Sequence, residues 1–224
     1  MENVIFKIFR FLVFGRFDSF LTNQNGAIHI GANTGQEINH YKNLGVKQVC
    51  WIEADPQIYK TLISNIKNYK NQKAYNYLVT DSNNKKYNFN ISNNGGNSSS
   101  IFSLKEHKQV YPDVKYIKTV ALIGKTLKYI IRKENINLNN FSALVLDVQG
   151  AEYKILQGAK SILHKFRYIK LETAEFDLYS ENGNYLNISK YLSKFYFFEK
   201  KKIVIARNSK GKKAFDVLYC NSRF

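Results

Sequence analysis

An α/β fold, with a mostly parallel sheet and helices on both of its faces, is predicted by three observations on this 224-residue chain. Short apolar runs alternate with helix-patterned stretches along most of the sequence, as crossover helices between parallel strands require. The chain closes on two strand-like segments, FYFFEKKKIVIA and KKAFDVLYCN, near enough to pair as a hairpin and so to supply an antiparallel strand. Several runs also end on a glycine or a carboxylate, and in such sheets ligands bind beyond the carboxyl ends of the strands.

AIHIG (27–31) reads as the first strand and TGQEINHYKNLG (34–45) as a helix closed by Gly45. VKQVCWIEA (46–54) is the second strand, and Pro56 opens the helix PQIYKTLISNIKNY at the position where proline is best tolerated. KAYNYLVTD (73–81) is the third strand, and KKYNFNIS (85–92) alternates with period two as an exposed strand does. NNGGNSSSIFSLKEHKQVYPDV (93–114) is a long polar loop, of a length that is usually functional or disordered inside a compact domain. YIKTVAL (116–122) is strand-like and GKTLKYIIRKENI (124–136) helical. FSALVLD, the helix GAEYKILQGAKSILHK, the strand RYIKLET and the helix NYLNISKYLSKF then restore the alternation before the closing hairpin.

A length of 224 residues at 44% hydrophobic content suits one domain. Residues 1–22 read as an amphipathic helix that covers the domain, rests on a membrane surface or joins a second copy. The segment is broken by Lys7 and Arg10 and lacks a signal-peptide cleavage site. No apolar run reaches about 18 residues, the length a membrane-crossing helix needs. The expected location is therefore cytoplasmic, at most peripheral to a membrane. Cys50 and Cys220 have no disulfide or metal spacing and read as packing residues. The formal charge of +17 predicts attraction to nucleic acid, phosphorylated sugars or an anionic membrane, or else reflects a lysine-rich composition.

The strand ends carry the chemistry. Gly31-Ala32-Asn33-Thr34-Gly35 follows the first strand, where small residues let backbone approach a ligand at a helix N-terminus. Glu53 lies 22 residues beyond Gly31, the distance at which an acidic residue meets ribose hydroxyls in nucleoside-binding sheets. The pattern G-x-N-x-G lacks the third glycine that seats a pyrophosphate, so S-adenosylmethionine fits better than a nicotinamide dinucleotide. Asp81 ends the third strand, suited to an adenine amino group, although TDSNN is equally a turn. Asp147 ends the run ALVLD, either as a helix cap or as the working carboxylate of a site, and Glu172 in KLETAEF is a second carboxylate at a strand end.

IHIGANTGQE, WIEADP, LVTD, NNGGNSSSIF, LVLDVQGAEYKILQGA and IKLETAEFDLY together resemble the FkbM-type family of S-adenosylmethionine-dependent methyltransferases. DVQGAE followed by the LQGA of Leu156 to Ala159 is the most specific element. The resemblance implies a Rossmann-like class I methyltransferase fold over residues 23–224: a seven-stranded sheet with an antiparallel last strand, and an active-site loop at 93–114. It implies methyl transfer to a hydroxyl oxygen, usually on a sugar or glycoconjugate. It implies that Gly31, Ala32, Asn33, Thr34, Gly35 and Glu53 hold the cofactor and that Asp81 touches its adenine. Ser98, Ser99 and Ser100 match a serine motif of the family and are expected to line the acceptor site.

Within that frame Asp147 would take a proton from the acceptor hydroxyl, orient a histidine, or ligate a divalent metal, which no residue spacing here indicates. His107, alone among the histidines in falling within the long loop, is the candidate base or a surface residue. Glu172 is a further catalytic candidate or a loop-backbone partner, and Glu152 reads as structural, inside a first helical turn. His29 departs from the family, which often has an acidic residue there; Glu37, Gln36 or a backbone carbonyl would then meet the methionine amino group. Two other readings are a ribose hydroxyl of RNA as acceptor, with salt-sensitive binding, and a nucleoside-binding module without catalysis. The intact Asp147, Glu53 and motif glycines argue against the last.

Overall fold

The computed structural model describes residues 17–180 and 183–224. Of the helix expected at 1–22, residues 1–16 lie outside the described residues. The described chain opens at Phe17 and enters a 3₁₀ turn, Asp18–Leu21, with Phe17 and Leu21 buried. In chain order the strands are β1 (Ala27–Ile30), β2 (Val49–Glu53), β3 (Gln72–Asn76), β4 (Leu78–Val79), β5 (Lys86–Ser92), β6 (Tyr116–Lys125), β7 (Ala143–Leu146), β8 (Tyr168–Ala174), β9 (Phe197–Arg207) and β10 (Lys213–Asn221). The helices are α1 (Ile38–Asn43), α2 (Pro56–Ile66), α3 (His107–Val110), α4 (Leu127–Lys133), α5 (Glu152–Gly158) and α6 (Tyr185–Ser193). Among the described residues none of them is long and apolar enough to cross a membrane.

The main sheet has seven strands in the order β3-β2-β1-β7-β8-β10-β9. Neighbours from β3 to β8 are parallel, while β10 is antiparallel to both β8 and β9. The antiparallel last strand is as expected, but it is inserted between β8 and β9 and leaves β9 as the edge. Strand order reverses between β1 and β7, which makes the carboxyl ends of those two strands the place for a ligand.

The two sheet faces separate by residue parity, because successive strand residues point to opposite sides. Ile28, Ile30, Leu144, Leu146, Ile169 and Leu171 form one face, packed with Leu127 and Ile130 of α4, Ile155 and Leu156 of α5, and Ile188 and Leu192 of α6. The opposite face is mixed. Ala27, Val49 and Trp51 pack against Ile38 and Tyr41 of α1 and Leu62 and Ile66 of α2. The same face carries His29 and, two strands away, Lys170, whose ammonium meets Asp18 Oδ1 at 2.7 Å. Asp18 Oδ2 also lies 3.1 Å from His40 Nε2, so the chain entering the domain is tied to the sheet by a buried ionic cluster.

Three boundaries differ from the sequence expectation, each for a tertiary reason. The expected third strand is cut at Tyr77: β3 follows the main sheet, while β4 pairs with β6 at Gly124 and Lys125 in a second, three-stranded sheet. One apolar run cannot announce that its halves belong to two sheets. The strand beginning at Tyr116 extends to Lys125, and Thr126 then caps α4 by accepting from the Tyr129 N–H at 3.2 Å. Helix α5 stops at Gly158, where a Cβ would meet the Thr80 carbonyl oxygen at 2.4 Å. The glycine of LQGA lets the helix end pack on the turn after β4.

Candidate active site

The glycine turn binds the ends of three strands together. Gly31 donates to the Ile52 carbonyl at 2.9 Å, and the Asp147 N–H donates to the Ile30 carbonyl at 3.0 Å. Gly31 has φ +83°, and a Cβ there would lie 1.8 Å from the Asp147 carbonyl oxygen. No other residue fits. Two residues on, Asn33 adopts φ +45° and points its N–H at Glu53 Oε2, 2.8 Å away, while the Asp55 N–H donates to Oε1 at 2.7 Å. Burial pushes the Glu53 carboxyl up to about 7 against the pull of these two donors. Each oxygen accepts one backbone N–H and keeps capacity for another donor.

A cleft of about 630 Å³, counting its mouth, opens beyond these strand ends. Its polar lining includes Gly31, Asn33, Glu53, Asp147 and Gln149, and its apolar lining includes Tyr77, Leu78, Val79, Phe89 and Ile101. This is the usual make-up of a small-molecule site, mostly apolar with a few placed polar groups. Asp81 is not among the lining residues. Its carboxylate is held below the usual range, despite burial, by Lys154 at 3.1 Å and by hydrogen bonds from Tyr87 and Ser82. Ala32, Thr34 and Gly35 likewise do not line the cleft; Gly35 packs on Ile38 and Leu62.

The long loop folds back over the glycine turn. Asn33 Nδ2 donates to the Gly95 carbonyl at 3.1 Å and to Asn97 Oδ1 at 3.2 Å, and Gln36 Nε2 reaches the same Asn97 oxygen. Ser98, Ser99 and Ser100 are buried and already hydrogen-bonded. Ser98 Oγ accepts from Asn94 Nδ2, Ser99 Oγ from the Ser92 N–H, and Ser100 Oγ donates to the Gln149 carbonyl at 2.7 Å. Only Ser99 of the three lines the cleft. His107 is buried between the rings of Tyr111 and Tyr179, lines neither the cleft nor the smaller pocket beside it, and is pushed down to about 4 by burial.

Asp147 is exposed at the cleft and does not cap α5, whose N-cap is Ala151 without a side-chain bond. Gln149 holds it: Nε2 donates to Asp147 Oδ1 at 2.7 Å, and Gln149 Oε1 accepts from the Tyr179 hydroxyl at 2.7 Å. Three further carboxyls feel the Asp147 charge. Glu37 is pushed up to about 7 and Glu152 to about 8, in both cases first by burial and then partly by Asp147. Glu172 is held well above the usual range by burial, Asp147 and Asp216. Glu152 Oε1 accepts from the Val148 N–H at 3.2 Å, a structural bond that shapes the turn after β7. His29 is buried, bonded through Nδ1 to the Tyr41 hydroxyl at 2.9 Å, and pushed down to about 3 by burial and by Lys170. It is a neutral packing residue, outside the cleft lining. No group of three or more His, Cys, Asp and Glu side chains among the described residues is arranged to hold a metal ion.

A family model described as Methyltransferase FkbM domain matches residues 29–199. The chain belongs to this methyltransferase family. The 2-O-methyltransferase NoeI of Sinorhizobium fredii is 26% identical over 159 residues, which make up 68% of this chain and 64% of NoeI, just under two thirds of that relative. Among solved structures, the FkbM methyltransferase of Methylobacillus flagellatus aligns with a TM-score of 0.51 at 11% identity, over 87% of this chain and 44% of that one. The O-methyltransferase of Bacillus cereus, solved with S-adenosylhomocysteine, aligns with a TM-score of 0.50 at 13% identity, over 93% and 81% of the two chains. At such identities the likeness establishes the fold.

In this member of the FkbM family the residue that sequence reading leaves without a role is Gln149. Its signal is its place in DVQGAE, and its φ of +53° beside Gly150 at +100° shows a turn built to aim it. The apolar slot was equally hidden, because Tyr77, Phe89 and Ile101 come from segments that look like ordinary strand and loop.

The raised carboxyls make the stability of the FkbM-family chain depend on pH. Glu37, Glu53, Glu152 and Glu172 bind protons more tightly folded than at the unfolded value of 4.5. Their contribution is complete below about pH 4.5 and is lost as pH rises through about 7 for Glu37 and Glu53 and about 8 for Glu152, with Glu172 acting in the same direction. His29 and His107, pushed below 6.5, work in the opposite direction as pH falls, but they are two against four. The melting temperature of the ligand-free protein is therefore expected to be higher at about pH 5.5 than at about pH 8. A rise over the same interval in a thermal scan would contradict the burial of these carboxyls.

Proposed function

We propose that the protein is an S-adenosylmethionine-dependent O-methyltransferase whose acceptor is a hydroxyl of a saccharide or glycoconjugate. The observation that carries the reading is the exposed Asp147, held by Gln149, in one cleft with Glu53. The residues fit the cofactor. Glu53 keeps lone pairs for a ribose diol, the slot of Tyr77, Leu78, Val79 and Phe89 suits a flat base, and Gly31 lets backbone come close. When bound, the cofactor supplies an electrophilic methyl group on a sulfonium.

The chain's own work is placement and proton removal. Asp147 accepts the proton of the acceptor hydroxyl, which is otherwise a weak nucleophile. Gln149 and Tyr179 fix the carboxylate so that no reorientation is needed at the moment of transfer. Among the described residues no lysine or arginine lines the cleft, so phosphates flanking an RNA ribose would find no counter-charge there. That favours a sugar over RNA. The name 2-O-methyltransferase carried by NoeI supports oxygen as the accepting atom.

Calorimetric titration with S-adenosylhomocysteine, with NAD as control, tests the cofactor. Micromolar binding of the first alone is expected, and binding of neither overturns the reading. Glu53→Gln is expected to weaken that binding at least about tenfold, since the amide NH2 replaces one acceptor oxygen, faces one of the two backbone donors and turns the side chain from the diol. An unchanged dissociation constant removes Glu53 from the ribose site.

A further inference from the structure

Beside the cleft, and sharing Gln149 with it, is a second, narrow pocket of about 250 Å³ counting its mouth, whose walls include Glu152, Glu172, Thr173, Tyr179 and Gly183. Two features set it apart from a packing gap. Thr173 is only 5% exposed, and its hydroxyl has no hydrogen-bond partner among the described residues. Native structures seldom leave a buried hydroxyl in that state without a reason. The described walls also contain no lysine or arginine, although the chain has 34 of them, and they contribute two carboxyls instead. Of the other polar groups, Tyr179 is committed to Gln149, and Glu152 Oε1 takes the Val148 N–H. What remains to meet a ligand is the Thr173 hydroxyl and the Glu172 carboxyl.

Such a wall suits a neutral or cationic group that hydrogen-bonds, and offers an anion no counter-charge. The space inside is about that of one water molecule, which suits a single hydroxyl or ammonium group of a molecule whose remainder extends past Gln149 toward Asp147. We propose that this pocket is the anchoring subsite of the acceptor and takes a hydroxyl- or ammonium-bearing arm of the sugar, met by Thr173 Oγ1 and the Glu172 carboxyl. The proposal rests on the reading that a saccharide hydroxyl is methylated beside Asp147. It makes Thr173 and Glu172 determinants of acceptor choice, and it predicts that phosphorylated or acidic sugars bind poorly.

The test is calorimetric titration of the full chain, with and without saturating S-adenosylhomocysteine, using methyl glucoside, glucosamine and glucose 6-phosphate. The neutral or the aminated sugar is expected to bind at least about tenfold more tightly than the phosphate. Thr173→Val should weaken the better sugar by about fivefold or more, leave the S-adenosylhomocysteine affinity unchanged, and keep or raise the melting temperature, because valine replaces a hydroxyl without a partner in the free protein. Equal affinities, or a preference for the phosphate, overturn the proposal. So does a Thr173→Val protein that is more stable and binds sugar as before, which would show a packing defect holding a water only. A chain that binds S-adenosylhomocysteine but shows no sugar pattern keeps the methyltransferase reading and loses the pocket. One that shows the sugar pattern without binding S-adenosylhomocysteine does the reverse, and one that shows neither loses both.

Discussion

Asp147→Asn is expected to lower kcat by at least about 100-fold, the scale on which a positioned general base acts. The same change should leave S-adenosylhomocysteine affinity within a few fold, because the residues proposed to meet ribose and base are others, Glu53 with Tyr77, Leu78, Val79 and Phe89. It should not unfold the protein. Asp147 is exposed, and its charge raises the carboxyls of Glu37, Glu152 and Glu172, so neutralising it relieves repulsion. The asparagine oxygen can still accept from Gln149 Nε2, which keeps the geometry. Steady-state kinetics, calorimetry and a thermal scan on one preparation separate the outcomes. Unchanged turnover removes Asp147 from the chemistry. A large fall in melting temperature would instead assign it to the fold.

Gly31→Ala is expected to be the most damaging single-atom addition in the chain. Its Cβ would sit 1.8 Å from the Asp147 carbonyl oxygen, a backbone atom that moves only if β1 and β7 separate. Overpacking against side chains typically costs about 1–3 kcal/mol, and backbone has less room to give, so a loss of at least about 3 kcal/mol is expected. Cofactor binding should disappear with it, since the turn lines the cleft. Gly211→Ala is the control. That glycine also has a positive φ, +76°, but nothing lies within 4 Å of a Cβ there, so only the conformational cost of about 1 kcal/mol applies. Urea denaturation of both variants decides. Equal destabilisation would mean that the strand ends are not in close contact.

The alternation of strands and helices, the glycine turn after β1 and the carboxylates at strand ends were legible along the chain because each is a local pattern. Period-two and 3.6-residue repeats, a proline at a helix start and a DVQGAE signature need no partner to be recognised. By itself the sequence therefore determined the α/β class, the antiparallel last strand, the family and the identity of Glu53 and Asp147 as residues of interest. What it left open depended on which segments meet. Asp81 and the serines of the loop have the right chemistry for a ligand, but Lys154, Ser92 and Gln149 occupy them, across separations of up to 73 residues. His107 is a plausible base as a letter and a buried ring between two tyrosines in space. Gln149 and Thr173 are ordinary as letters, and they matter because one holds Asp147 while the other leaves a hydroxyl unanswered beside two carboxyls. Local periodicity sets the elements; only the packed sheet decides which polar groups are satisfied by the protein and which wait for a ligand, because that depends on contacts between residues distant in sequence.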